Sequence, residues 1–535
     1  MTSSPVDASQ EIMITVVLKR PLHDNGMSLK DYADAVIAGD QPVMSHDDFV
    51  YQFGASDDYI TLVTDWATAN DLTIIDAHSG SSSIKLGGNA EKLATLFNIQ
   101  LQTVTDDTGR TYHTHTGELT IPTDIDQVVD FVLGFDEQIV FSAHLTSVPL
   151  NSTPEVANPN IYIAPVTPPQ VATAYKLPAG DGYGGCVGIL ELTYSGSVAG
   201  WNQNDVNLSF NRIGLTPPTI VNYPVDGAAA STRSDAESML DIYCAGAVVP
   251  KAKIVYYVGP NTFQGFYNVI LAAAMDAVNR PSALGISWAA NESYFGQDLF
   301  ATAFQAGIAV GMVCFSSSGD SGAANIVPLY PASSAYQISA GGTNIGIVNG
   351  NIIGESAWGG GGGGISNFIA RPTWQNGLTS QTINSSGSKG TPTALPKRGY
   401  PDISAPADPY TGYQFYINSV LYQYGGTSAS APFLAGMITR LNTLLGKRIG
   451  FANSIFYANP SAFNDIVIGD NRDGYATGYT TTVGWDAATG LGSPIGSAIY
   501  KLFNTGSTFP KQNYGFRPST TQTGVAYPRK SIRIK

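Results

Sequence analysis

From Ile12 to Arg20 apolar and polar residues alternate loosely, the period of a strand with one buried face. Tyr59 to Asn70 and Ala90 to Phe97 carry apolar residues at helical spacing, and Ile84 to Leu86 and Ile139 to Phe141 read as further short strands. These elements predict a small α+β domain over residues 1–145. The stretch that follows, LTSVPLNSTPEVANPNIYIAPVTPPQ, is rich in Pro, Asn, Thr and Ser, so residues 146–165 are expected to form an exposed linker.

Beyond the linker, short apolar runs alternate with helical patterns. Strands are expected at Cys186 to Leu192, Lys253 to Val258, Leu284 to Trp288 and Ile308 to Phe315. Helices are expected at Ala236 to Ala247, Tyr267 to Val278 and Leu299 to Ala306. Strands of this kind between helices predict an α/β domain over residues 166–504, its parallel sheet covered on both faces. Ligands of such sheets bind beyond the carboxyl ends of the strands, where Ser316-Ser-Ser-Gly-Asp320 and Gly425 to Ser430 would lie.

The 535 residues carry 27 Lys/Arg and 41 Asp/Glu, a net charge of −14 that argues against a nucleic-acid groove. The charge is uneven: residues 1–150 hold 22 of the acids and only 6 of the bases. All six histidines lie at or before His144, leaving the α/β part without imidazole. Cys186, Cys244 and Cys314 each sit in an apolar run and are expected to be buried free thiols. No basic segment followed by a long apolar run opens the chain, and no apolar stretch is long enough to span a membrane. Gly359 to Gly364 reads either as backbone approaching a ligand or as a mobile loop. The 505–535 tail has six Lys/Arg and no acid, and reads as solvated.

In GGTSASAP, Ser428 precedes an apolar run of helical period. A serine at a helix N-terminus has a favourable dipole and free N–H groups beside it, which suits a nucleophile whose attack creates an oxyanion. The plainer reading is that Ser428 or Thr427 caps the helix. A serine nucleophile needs a base, and an imidazole could come only from the N-terminal domain, which an exposed linker makes a poor supplier. Carboxylates remain. Glu237 and Asp241, four apart on an expected helix, share a face; such a pair can hold one proton between them, although many simply line a solvated face.

Taken together, TPPQVATAYKLP, Glu237-x-x-x-Asp241, GISW, SSSGDSG, GGGISNFIARPTWQ, YPDISAPADP, GGTSASAP and FNDIVIGD with GWDAATGLGSP resemble the sedolisin family of serine-carboxyl peptidases, in its kumamolisin-like branch. The resemblance implies a subtilisin-like catalytic domain preceded by a ferredoxin-like propeptide domain. It places a Ser-Glu-Asp triad on Ser428, Glu237 and Asp241, with an oxyanion-binding acid at Asp320 and cleft residues at Ser287 and Trp288. It also implies one calcium ion, held by Asp465 and Asp486 carboxylates and by the carbonyls of Ile466, Thr482 and Gly484.

The activity implied is acid endopeptidase action on proteins or peptides by a secreted monomer that lacks an obvious signal peptide. The propeptide would act as an intramolecular inhibitor, with a self-cleavage region in the linker, and titration of the acidic N-terminal domain would loosen it. Alternatives are a tripeptidyl-peptidase of the same family or a catalytically silent binding protein on its scaffold. Thr482 stands where the family often has glycine, Ala289 follows the Ser-Trp pair where glycine is common, and TYSGS at 193–197 replaces a glycine-tyrosine turn. The tail extends past the family's usual end.

Overall fold

A computed structural model describes the chain except for residues 108, 139–140, 151, 153–163, 194–198, 296–297, 299, 324–326 and 505–535. The expected linker and the TYSGS departure fall largely in that excluded set, and the basic tail falls wholly in it.

Near the N-terminus, Glu11–Leu18, Thr73–His78, Ser83–Asn89 and Val129–Leu133 form one antiparallel sheet. Across the sheet the strands run Thr73–His78, Ser83–Asn89, Glu11–Leu18, Val129–Leu133. With Asp57–Ala69 and Ala90–Leu96 as the crossing helices, this is ferredoxin-like topology. Ser56 and Asn89 start those helices by accepting from Tyr59 N–H and Lys92 N–H.

The larger part is built on an eight-stranded sheet. Its order is Thr219–Pro224, Lys253–Pro260, Cys186–Thr193, Ala283–Ile286, Val313–Ser317, Ile338–Val348, with Asn351–Ala357 and Ile403–Pro406 both paired to the last of these. Every pairing is parallel except that of Ile338–Val348 with Asn351–Ala357. Cys186–Thr193 is buried along nearly its whole length, as expected of a strand covered on both faces. The three cysteines are free and buried.

Several expected elements are corrected at their ends. The Leu284 to Trp288 strand is broken at Ser287: Ala283–Ile286 belongs to the main sheet, and Trp288–Asn291 pairs elsewhere. Ile308 to Phe315 joins the end of one helix, Ala301–Ala309, to a later strand, Val313–Ser317, because an unbroken apolar run does not distinguish the two. The helix expected at Tyr267 to Val278 is Phe263–Met275. Of the strand expected at Ile139 to Phe141 the first two residues lie outside the described set, and a two-residue strand forms just after it at Ser142–Ala143.

The ferredoxin-like sheet lies on helix Phe263–Met275, and helix Leu29–Ala38 packs against Ala301–Ala309. Val17, Tyr32, Phe49, Phe53 and Phe141 share one apolar core with Phe266, Tyr267 and Ile270. Phe141 stacks on Phe266 with ring centroids 4.2 Å apart. Within this seam Thr15 Oγ1 accepts from Gln264 Nε2 at 2.8 Å and Asn268 Nδ2 at 3.0 Å, and Lys85 pairs with buried Asp226.

Candidate active site

Helix Ala236–Val248 starts at Asp235, whose side chain accepts from Ser238 N–H and hydroxyl, and it is buried along its length. Glu237 is therefore 4% exposed and Asp241 fully buried, so the pair does not line a solvated face. Burial and the neighbouring Asp241 charge raise Glu237 well above the ordinary carboxyl range, while the Ser428 hydroxyl pulls it back. Burial likewise raises Asp241, which accepts from Ser287 Oγ at 2.9 and 3.0 Å. The oxygens of Glu237 make no hydrogen bond of normal geometry, so the Glu237–Ser428 approach is looser than a closed bond here.

Ser428 is the second residue of helix Thr427–Leu445, whose N-cap is Gly426 at φ 116. Neither Thr427 nor Ser428 caps it. Thr427 N–H donates to Asp320 Oδ1 at 2.7 Å, and Thr427 Oγ1 lies 2.9 Å from the same oxygen. Burial pushes the Asp320 carboxyl up to about 7. Its other oxygen, Oδ2, is buried without a bond of normal geometry. The glycine run supports the Asp320 loop and is packed: Gly362 N–H donates to Gly319 O at 2.7 Å, and a side chain at Gly362 would collide with the Ser318 carbonyl.

Ser287 and Trp288 turn their side chains away from the cleft, toward the acids. Trp288 Nε1 donates to Glu191 Oε2 at 3.0 Å. Glu191, which the sequence reading passed over, is a fully buried acid raised by burial and by the charge of Asp241. A single glutamate inside the apolar run CVGILELT was the available signal.

The cleft face of this region is main chain, and it is filled by the protein's own N-terminal segment. Ser142–Ala143 pairs with Trp288–Asn291, and Thr146–Val148 pairs with Val420–Gly425. Between them His144 N–H reaches Ser287 O at 3.2 Å and Ser428 Oγ at 3.1 Å, while Ser428 N–H donates to His144 O at 3.0 Å. The expected exposed linker thus begins as a strand seated in the site. The residues just before it bring His144 to Ser428 through backbone atoms, while Nε2 of the imidazole makes no hydrogen bond.

Asp465 and Asp486 converge on one loop: Asp465 Oδ2 accepts from Gly484 N–H at 2.9 Å and Asp486 Oδ2 from Thr482 N–H at 3.0 Å. Ile466, beside Asp465, is buried. Burial pushes Asp486 up to about 7, and neither acid has a Lys or Arg salt-bridge partner among the described residues. No group of three or more His, Cys, Asp or Glu suited to a metal exists among the described residues. A cation here would rely on two carboxylates and main-chain oxygens, an all-oxygen set that fits a hard divalent ion.

A family model described as Pro-kumamolisin, activation domain, matches residues 1–138, and one described as Subtilase family matches residues 225–449. Kumamolisin from Bacillus sp. (strain MN-32) is 33% identical over 520 residues, 92% of this chain and 91% of that protein. Tripeptidyl-peptidase 1 from Dictyostelium discoideum is 30% identical over 325 residues, 55% of this chain and 51% of that protein. The solved structure of Pseudomonas sedolisin, a serine-carboxyl proteinase, shares the fold with a TM-score of 0.55 at 23% identity, covering 64% of this chain and 99% of that one. This chain therefore belongs to the kumamolisin and sedolisin family, and is a serine-carboxyl peptidase carrying its own activation domain.

Proposed function

We propose that the chain is an acid-acting, self-processing endopeptidase in which Ser428 attacks the substrate carbonyl and Glu237 takes the serine proton. Asp241 holds and polarises Glu237, and neutral Asp320 donates a hydrogen bond to the oxyanion. The observation that carries this reading is the peptide carbonyl of His144 resting on Ser428 N–H at 3.0 Å, at the head of a helix. A side chain at Gly426 would collide with both His144 O and Asp320 Oδ2, so the two oxygens converge on one spot. For Asp320 to donate there it must keep its proton, which its raised titration allows in acid and denies above about pH 7.

Proton transfer follows from the buried pair. Two carboxyls this close cannot both be charged cheaply, so one proton stays with Glu237 and Asp241, and the remaining negative charge is the base. The bound segment runs on from both sides of Ser428, pairing at Ala143 and again at Thr146. A cleft open at both ends accepts an internal peptide bond, which favours endopeptidase over tripeptidyl-peptidase action.

Calcium belongs to the same reading: one ion held by Asp465, Ile466, Thr482, Gly484 and Asp486 would neutralise one buried and one exposed carboxylate and tie their loops together. Residues 1–138 act as the inhibitor of their own catalytic part, and an extracellular monomer acting on proteins or peptides is the expected working form. Among the described residues no helix is long and apolar enough to cross a membrane. Digestion of a denatured protein at pH 4 should yield internal peptides with the wild type and none with Ser428→Ala. A ladder of tripeptides, or full digestion by the variant, would contradict it.

A further inference from the structure

We infer that the cavity beside Asp320 takes the side chain of the residue whose carbonyl Ser428 attacks, that it selects a large uncharged side chain there, and that Leu329 sets this choice. The inference rests on the roles proposed for Ser428 and Asp320, and adds the chemistry of the substrate.

The bound N-terminal segment marks which substrate residue faces the cavity. The His144 carbonyl lies on Ser428 N–H, and the His144 side chain forms part of the cavity wall. Free space of about 290 Å³ lies beside that imidazole, between Asp320, Val327, Leu329, Ile365, Tyr400 and Tyr479. The space is left over with an imidazole in place, so a larger side chain fits.

Most of the wall comes from stretches 318–330 and 359–365, in which Asp320 is the one charged residue. No Lys, Arg or Glu lines the cavity among the described residues. The imidazole already there shows what a cation meets: burial alone pushes His144 down to about 4. A buried charge without a partner is disfavoured, and an apolar or aromatic side chain is not.

A cation has a second cost, in the reaction itself. Asp473 bears on Asp320 with a charge that favours its proton, while hydrogen bonds from Thr427 and Thr146 favour its ionised form. Glu237 feels the Asp320 charge in turn, and His144, Tyr400 and Tyr479 are the other titratable groups of the cavity. A basic side chain would add an opposite charge beside Asp320 and draw its proton off at lower pH. Ionised Asp320 has no proton for the oxyanion, so a basic substrate loses turnover as well as binding.

Leu329 is the wall residue placed to set this. Its strand partner is Asn291, on the strand Trp288–Asn291 that also pairs with Ser142–Ala143 of the bound segment. Its N–H donates to the Tyr400 hydroxyl at 3.1 Å, so the backbone is fixed from two sides. A side chain at Gly319 would come within 2.6 Å of Leu329 Cδ1, so the half-buried Leu329 reaches the residue next to Asp320. An isobutyl group there supplies apolar wall, where a carboxylate would supply a partner for a base.

The test uses processed enzyme and peptides that differ only at the residue giving its carbonyl to Ser428: phenylalanine, norleucine, lysine or glutamate. Near pH 5 the kcat/KM for phenylalanine and norleucine should exceed that for lysine and glutamate by about 10-fold or more. The kcat for the lysine peptide should fall away about one pH unit below that for norleucine, which lacks only the charge. Leu329→Glu should raise the lysine-to-norleucine ratio by about 10-fold, and Leu329→Gln should leave it near the wild-type value. Lysine cut as fast as norleucine with the same loss at high pH, or a ratio raised equally by Leu329→Gln, would overturn the inference; the wild-type comparison decides even where Leu329→Glu does not fold. If all four peptides are cut alike, only this inference fails. If none is cut at any pH, the serine-carboxyl assignment fails and takes the inference with it.

Discussion

Glu191, Glu237 and Asp241 beside the Ser428 helix are as deeply buried as Asp226 at the seam between the two parts of the molecule, yet only Asp226 has a cation beside it. The Asp226 side chain is 1% exposed and that of Lys85 19%, and Asn268 Nδ2 adds a hydrogen bond at 2.7 Å. Burial, with the charges of neighbouring acids, drives the first group toward the neutral form, whereas a lysine stands beside the second. The lesson is that the two places meet the cost of burial differently. The site acids hold protons that acid supplies, while the seam carboxylate is met by a lysine and an amide.

The sign follows from the raised titrations. A carboxyl that titrates higher in the folded protein than in the unfolded chain binds its proton more tightly when folded. Its contribution is present in acid and is lost as pH rises, for Asp320 between the usual value of 3.8 and about 7.

The largest effect that would break the contrast is at the base. Glu237→Gln should lower kcat by about 10⁴-fold or more while leaving the melting temperature close to that of wild type; retained turnover would remove the carboxylate from the reaction. Next, Asp320→Ala should cost about 10²- to 10³-fold in kcat, the scale of one oxyanion donor, read with a peptide substrate on processed enzyme.

Lys85→Met tests the other side. It leaves Asp226 buried without its cation, and the separated N-terminal domain should inhibit the processed enzyme about 10- to 100-fold more weakly near pH 6, with kcat unchanged. Chelation sharpens the comparison from a third place: EDTA should lower the melting temperature by about 5 °C, since Asp486 would lose its compensating ion, and an unmoved transition would count against calcium there.

How much of this was legible depended on what kind of signal each part leaves. The Glu237–Asp241 pair was readable because four-residue spacing on a helix is a local property, confirmed in geometry by a helix over Ala236–Val248. The parallel sheet was readable because doubly covered strands are apolar throughout, as at Cys186–Thr193. Glu191 escaped because a lone acid has no partner within its own segment, and the Trp288 hydrogen bond and the Asp241 charge reach it only on folding.

The seat of residues 142–148 escaped for a different reason. Its Ser and Thr content matches a solvated connection, but strand pairing uses main-chain groups that every residue carries. The break at Ser287 was equally hidden, because it follows from the side chain turning to Asp241 while the backbone turns to His144.

The pH dependence of kcat/KM for a peptide substrate, measured from pH 3 to 9 on processed wild type and on Glu237→Gln, tests most directly whether an acidic side chain accepts the serine proton. The wild type should be most active in acid and lose activity as Asp320 ionises toward pH 7, and the variant should be flat and near zero throughout. Full activity at pH 8 with a steep loss below pH 6, shared by both proteins, would contradict the account.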